Sequence, residues 1–270
     1  MGSQILELDS PTWADINSPL LRFRQNIFSQ SGEDGVIAKI LEVLPDINTF
    51  FVEFGAWDGL HLSNCARLAR DFGWSGIFIE GDVEKFDALT SNYAQNPLII
   101  PINKWVSLSA GATLDEIVSP TTQEVGILSI DIDGNDYHIW DSIKVLRPTL
   151  VIIEVNPSIP NDVKFVQEYS PEVNHGSSLL AMNALGVSKG YELICCTSAN
   201  AFFVKREYFK LFNIPDNSVE KLFVPKCNGR IFHGFDGTIF TVGMERIIWK
   251  GIAVGAKDLQ LLPPDQRKLT

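Results

Sequence analysis

After the segment FSQSGEDG, which ends at Gly35, apolar positions recur every three or four residues, then alternate with short continuous apolar runs. Ile37, Ile40, Leu41 and Leu44 share one face of a helix that Pro45 stops. The run FFVEFG at 50–55 is nearly all apolar with aromatic and β-branched content, so it predicts a buried strand. A helix over 63–72 leads to a second strand in GWSGIFIEGD. Asp82 is placed to cap the next helix, whose Val83, Phe86, Leu89 and Tyr93 share a face. LIIPINKWVS at 98–107 predicts a third strand, and Thr113 with Glu116 has capping-box spacing, so a helix starts there. ILSIDID at 127–133 predicts strand four, followed by a helix through Ile139, Ile143 and Leu146 that Pro148 ends. TLVIIEVN at 149–156 predicts strand five. Ser177 or Ser178 opens a helix carrying Leu179, Met182 and Leu185, closed by Gly186 or Gly190. YELICCT and AFFVKREYF predict two last strands joined only by Ser198 to Asn200, too short for a parallel crossover.

Five strand–helix repeats finished by a hairpin predict an α/β, doubly wound sheet of seven strands, the last antiparallel, with helices on both faces. Residues 1–27, with Pro11 and Pro19 and no clear period, read as an N-terminal extension. The sheet domain spans 28–210. From 211 the rhythm breaks at Pro215, Pro225 and a glycine-rich 227–237, which predicts a cap or edge segment over 211–270.

Composition narrows the function classes. With 22 Lys and Arg against 33 Asp and Glu the formal charge is −11, and no basic run interrupts it. Nucleic acid and anionic membrane surfaces are therefore poor partners, because both are recognised by clustered cations. Four cysteines (Cys65, Cys195, Cys196 and Cys227) show no metal-finger spacing, which fits a reduced compartment. MGSQILELDS has no basic n-region or apolar h-region, and no apolar run reaches spanning length, so a cytoplasmic location is expected.

In a doubly wound sheet, ligands sit at the carboxyl ends of the strands. Strand one ends Glu53-Phe54-Gly55-Ala56-Trp57-Asp58-Gly59, two glycines that let the backbone turn tightly against a ligand. This is not GxGxxG, and an aspartate beside a diphosphate would repel it, so NAD and FAD are disfavoured. Strand two ends Ile79-Glu80-Gly81-Asp82, where a carboxylate can accept both hydroxyls of a ribose. The site thus suits a nucleoside without phosphates, of which S-adenosylmethionine, cationic at its sulfonium and ammonium, is one.

SQSGEDGVI (29–37), VEFGAWDGLHLSN (52–64), FIEGD (78–82), LSIDIDGNDYHIW (128–140), IIEVNP (152–157) and NAFFV (200–204) together resemble the FkbM-type S-adenosylmethionine-dependent methyltransferases. The likeness spans roughly 28–205, and the order of the motifs is more specific than any one of them. It implies the class I methyltransferase (Rossmann-like) fold and methyl transfer to hydroxyls of sugars or natural products. Trp57 stands where the common class I motif places its third glycine.

Candidate site residues follow from the same strand ends. For the cofactor they are Gln30, Glu53, Gly55, Asp58, Gly59, His61, Glu80, Asp82, Trp105 and Asp131. Gln30 offers an amide to the cofactor carboxylate; Trp105 either stacks on adenine or fills a hole at the sheet edge. Asp131 and Asp133 lie two apart on strand four, and Glu154 and Asn156 two apart on strand five, so four polar side chains converge at one edge. They would hold the cofactor ammonium, act as general base, or hold a divalent cation such as Mg or Mn through oxygen ligands. Substrate or cofactor handling is favoured over metal, which is not committed. His138 is either the base or an exposed helix residue, His61 a loop contact or a base, while His175 and His233 read as loop histidines without partners. The catalytic set expected is Asp133, His138, Glu154 and Asn156, acting on a small-molecule acceptor. A non-catalytic nucleoside-binding module and a Rossmann-type oxidoreductase are the competing readings, and a homo-oligomer is left open.

Overall fold

Alternating apolar runs become seven strands of one sheet: β1 (Phe50–Phe54), β2 (Ser75–Glu80), β3 (Ile99–Asn103), β4 (Ile127–Ile130), β5 (Leu150–Glu154), β6 (Tyr191–Cys196) and β7 (Asn200–Lys205). The computed structural model describes residues 18–121, 124–226, 229–243 and 246–269. Residues 1–17 of the expected N-terminal extension, and Cys227, lie outside the described residues. The strand order is β3-β2-β1-β4-β5-β7-β6, with β7 antiparallel to both its neighbours and the other four pairs parallel. This is the doubly wound sheet of seven strands, the last antiparallel, that the alternation and the short last connection predict.

Strands β1, β4, β5 and β7 are buried along nearly their whole length, as continuous apolar runs covered on both faces must be. Around them lie α1 (Glu33–Val43), α2 (Ala66–Arg70), α3 (Val83–Tyr93), α4 (Leu114–Val118), α5 (Asp136–Ser142) and α6 (Leu179–Ser188). Aromatic side chains fill the layers between. Phe51 meets Phe78 edge-on at 4.9 Å, and Trp140 lies 5.0 Å from Phe203. Cys65, Cys195 and Cys196 are buried free thiols.

The predicted caps form. Asp82 accepts from the N–H groups of Glu84 and Lys85, Thr113 and Glu116 close a capping box, and Ser178 caps α6. Several boundaries differ, each for a local reason. Helix α1 begins after Gly32 in a left-handed conformation, and Ser29 Oγ accepts from the N–H of Asp34 in its first turn. Helix α2 starts at 66 because the Glu53 carboxylate accepts from the N–H groups of Asn64 and Cys65. Helix α5 ends at Ser142, leaving Leu146 outside, because Asp115 accepts from the N–H groups of Lys144, Val145 and Leu146. Strand β4 stops at Ile130, and Asp133 adopts a positive φ of 56°. Asp131 and Asp133 therefore do not share a strand face.

Beyond Lys205 the chain keeps contributing to the core through Phe212, Ile214 and the helix α7 (Val219–Leu222) with Phe223. Two small hairpins follow, β8 (Arg230–His233) with β9 (Ile239–Val242) and β10 (Arg246–Ile247) with β11 (Ile252–Ala253). Among the described residues no helix is long and apolar enough to cross a membrane.

Candidate functional site

At the carboxyl end of β1 the backbone arches through Gly55, Trp57 and Gly59, at φ 75°, 50° and 72°. Only glycine fits at 55: a Cβ there would lie 1.7 Å from the carbonyl oxygen of Asp131. Contact with β4's exit, rather than space for a ligand, is what excludes a side chain. The arch is tied to β2 by Ala56 N–H donating to Ile79 O at 3.2 Å and by Trp57 N–H donating to Glu80 Oε2 at 2.8 Å. The other oxygen of Glu80 accepts from Asp82 N–H at 2.8 Å. Each carboxylate oxygen retains a second lone pair. Glu80 is buried and held rigidly at the mouth between β1 and β2.

Around that carboxylate stand exposed aromatic rings. Trp57 holds Lys85 Nζ 4.0 Å from its ring centroid, and His61 meets it edge-on at 5.3 Å. Trp105 is 72% exposed and its indole lies over Gly81, where a Cβ would come within 2.2 Å of the ring. It fills no hole in the sheet edge. Asp58 folds back on its own loop, accepting from Leu60 and His61 N–H groups, and Asp82 is occupied as the α3 cap. Glu53 points inward, where Ser63, Asn64, Cys65 and Ser129 all donate to it, and burial still raises its pKa above the usual carboxylate range. Gln30 is exposed, and its carbonyl accepts from Asn26.

The second half lies at the ends of β4 and β5. Carboxylate oxygens of Asp131, Asp133 and Glu154 all come within 4.8 Å of one another. Asp136, at the start of α5, is buried beside them and accepts from the N–H groups of Ile132 and Gly134. Burial, then the neighbouring carboxylates Asp136 and Asp133, pushes Asp131 well above its ordinary range; burial and Asp131 do the same to Glu154. Burial also raises Asp136, to about 6. Among the described residues no ion pair within 4.0 Å neutralises this group.

A cleft of about 400 Å³ opens over these acids, lined by Asp133, Asp136, Glu154, Asn156 and His175 among others. Asn156 accepts from Ser158 N–H at 2.8 Å and donates to the carbonyl of His175 at 2.6 Å. His175, expected to be a loop histidine without a partner, is thus brought to the cleft wall. The organiser is buried Gln167, whose Oε1 accepts from the N–H groups of His175 and Gly176 and whose Nε2 donates to Asn135 and Val173. His138 does not line this cleft. Its Nε2 sits 2.7 Å from the Gln167 carbonyl, and its ring stands edge-on to Tyr137 and Tyr169, each at 5.6 Å. It is neither an exposed helix residue nor turned toward the acids.

Asp136, Gln167 and His175 escaped sequence reasoning. Asp136 had a detectable signal, an acid at the first turn of a helix that follows a glycine turn. Gln167 and His175 lie in a stretch with no periodicity, and only the fold brings them to the strand ends.

No protein-family model and no curated protein matches this chain. Among solved structures it is similar to the N-terminal domain of EvdMO1 with SAH bound, at 13% identity over 66% of this chain and 81% of that one, with a TM-score of 0.45. A second crystal of that domain, in the presence of SAH and D-fucose, aligns at 12% identity over 64% of this chain and 80% of that one, with a TM-score of 0.44. The O-methyltransferase from Bacillus cereus in complex with SAH aligns at 17% identity over 67% of this chain and 84% of that one, with a TM-score of 0.43.

Proposed function

We propose that the protein is an S-adenosylmethionine-dependent methyltransferase of the FkbM type that methylates a hydroxyl of a small acceptor, a sugar or natural product. The observation that carries this reading is the Glu80 carboxylate, buried at the end of β2 and braced by Trp57 and Asp82 N–H groups beside the Gly55 arch. A rigid acceptor of two hydroxyl hydrogen bonds at that strand end suits a ribose, and no phosphate-binding glycine loop accompanies it. Glu80, Gly55 and the exposed ring of Trp105 would hold the nucleoside; Asp131 and Gln30 would face the amino-acid end. When bound, the cofactor supplies an electrophilic methyl group on a sulfonium.

The chain's own work is to align the acceptor hydroxyl and take its proton. Asp133 is the exposed member of the acid group and lines the cleft, so it is the base in this reading. Glu154 and Asn156 position the acceptor. His138, with Nε2 committed to a carbonyl, acts only by supporting the Gln167 loop.

A second reading of the same acids rests on their spacing. Three oxygens within 4.8 Å of one another match the donors a hard divalent cation takes, and Asp131, Asp133 and Glu154 would hold Mg or Mn there. Such an ion would acidify the acceptor hydroxyl.

Calorimetry with S-adenosylhomocysteine and separately with NAD tests the assignment. Binding of the former alone is expected, and Glu80→Ala should weaken it by roughly 1.5–3 kcal/mol, the range for charge-assisted hydrogen bonds. NAD binding, or unchanged affinity in the variant, would refute it. Binding without methyl transfer to any acceptor would favour the non-catalytic module.

A further inference from the structure

The cleft over the acids is closed by residues far along the chain. Ile247, Trp249 and Lys250 line it together with Glu154 and Asn156. They belong to the β10–β11 hairpin, whose strands flank a single turn of 3₁₀ helix at Ile248–Lys250. Trp249 is 62% exposed and Ile247 50%, so neither is consumed by the core. Two large apolar side chains left open on a two-strand hairpin thus share one cleft with hydrogen-bonding carboxylates and an amide.

We infer that this hairpin is the acceptor-binding wall and that the acceptor is a saccharide, its C–H face on the Trp249 indole and its hydroxyl rim toward Asp133, Asn156 and His175. A pyranose has this division of character: axial C–H groups form an apolar face, while hydroxyls around the edge both donate and accept. Carboxylates and an amide within one cleft satisfy such donors. A flat aromatic acceptor would leave those groups facing carbon, with polar atoms desolvated and unpaired. The volume of about 400 Å³ admits one sugar ring with its substituents. Trp249 is then a specificity-determining residue that touches the acceptor and not the cofactor, since Glu80 and the Gly55 arch stand at the ends of the other strands. The inference rests on the proposed methyltransferase reading for which hydroxyl reacts, but not for the wall itself.

Saturation-transfer NMR on the full chain, saturated with S-adenosylhomocysteine, tests it with methyl α-D-glucopyranoside, methyl β-D-galactopyranoside and catechol as probes. Calorimetry before any probe is added reads the cofactor step, and absence of S-adenosylhomocysteine binding there refutes the methyltransferase reading alone. Only in that event are the NMR probes applied to the free chain, so that the wall is still tested. Transfer to glycoside ring protons is expected, falling about five-fold in Trp249→Ala and partly restored in Trp249→Phe, with nucleoside affinity unchanged. Glycoside signals at full strength in Trp249→Ala would overturn the wall. Catechol binding with both glycosides silent, or no binding of any probe, would overturn the saccharide assignment. Loss of nucleoside and glycoside binding together in Trp249→Ala would place the hairpin's role in holding the fold and overturn the inference too.

Discussion

Neutralising one carboxylate of the acid group should stabilise the protein, and Asp131→Asn is the perturbation that isolates the effect. At an effective dielectric of about 20, two unit charges at the 4.8 Å limit of the group repel by about 3.5 kcal/mol. Solvent at the open Asp133 side lowers this, leaving about 2 kcal/mol for the substitution at pH 7.5. For a chain of 270 residues that is a rise in Tm of about 4 °C. The sign with pH follows from linkage. Asp131 and Glu154 are held well above their ordinary range and Asp136 at about 6, so the folded state binds more protons than the unfolded chain between the two sets of values. Stability from these groups therefore rises as pH falls from 7.5 to 5, and the advantage of Asp131→Asn shrinks over the same window. Scanning calorimetry of both proteins at pH 7.5 and pH 5 measures the difference directly, and the titration of carboxylates outside the group cancels in it. A variant that is destabilised at pH 7.5, or equally stabilised at both pH values, would refute the repulsive cluster.

Other outcomes follow from single contacts. Gly55→Ala places a Cβ against the Asp131 carbonyl at positive φ, so urea denaturation should show a loss of at least about 3 kcal/mol, well before any question of ligand space. Asp133→Asn should lower methyl transfer by about 10²–10⁴ with nucleoside affinity retained, while His138→Ala should change it by less than about ten-fold; the reverse order would return His138 to the base position. If the acid group holds a cation, EDTA abolishes activity and Mg or Mn restores it, and added cation raises the wild-type Tm at pH 7.5; full turnover in chelator excludes an essential ion.

Local chemistry was readable in the chain before folding. The Thr113–Glu116 box, the Asp82 cap and the Ser178 cap each depend on partners within three residues, so spacing alone finds them. The inner strands were equally legible, because strands buried on both faces need unbroken apolar runs, and the half-exposed edge strand β3 was legible from Ile99, Ile100 and Ile102. Contacts between distant segments were not. Asp115 ends α5 by capturing backbone from residues 144–146, which no periodicity within the helix announces. Glu53, read as a ligand contact at a strand end, spends its oxygens on Ser63, Asn64, Cys65 and Ser129. The acid group was visible as paired spacings on two strands, although it forms through the turn at Asp133 rather than along a strand face.

Inserting β7 between β5 and β6 dictates when this protein can finish folding during synthesis. Strand β5 gains its second neighbour only through residues 200–205, and β6, made earlier, attaches to the sheet by way of β7. Until that segment leaves the ribosome, β5 presents a bare apolar edge to solvent or to another nascent chain. The start of the sheet domain waits on the same event: Glu33, fully buried, takes hydrogen bonds from Thr197 and Asn200, and Ser18 donates to Ile194 at a separation of 176 residues. Such long-range closure makes for slow, late and cooperative assembly, so nascent chains released before about residue 205 should be chaperone clients or aggregates rather than partly active domains.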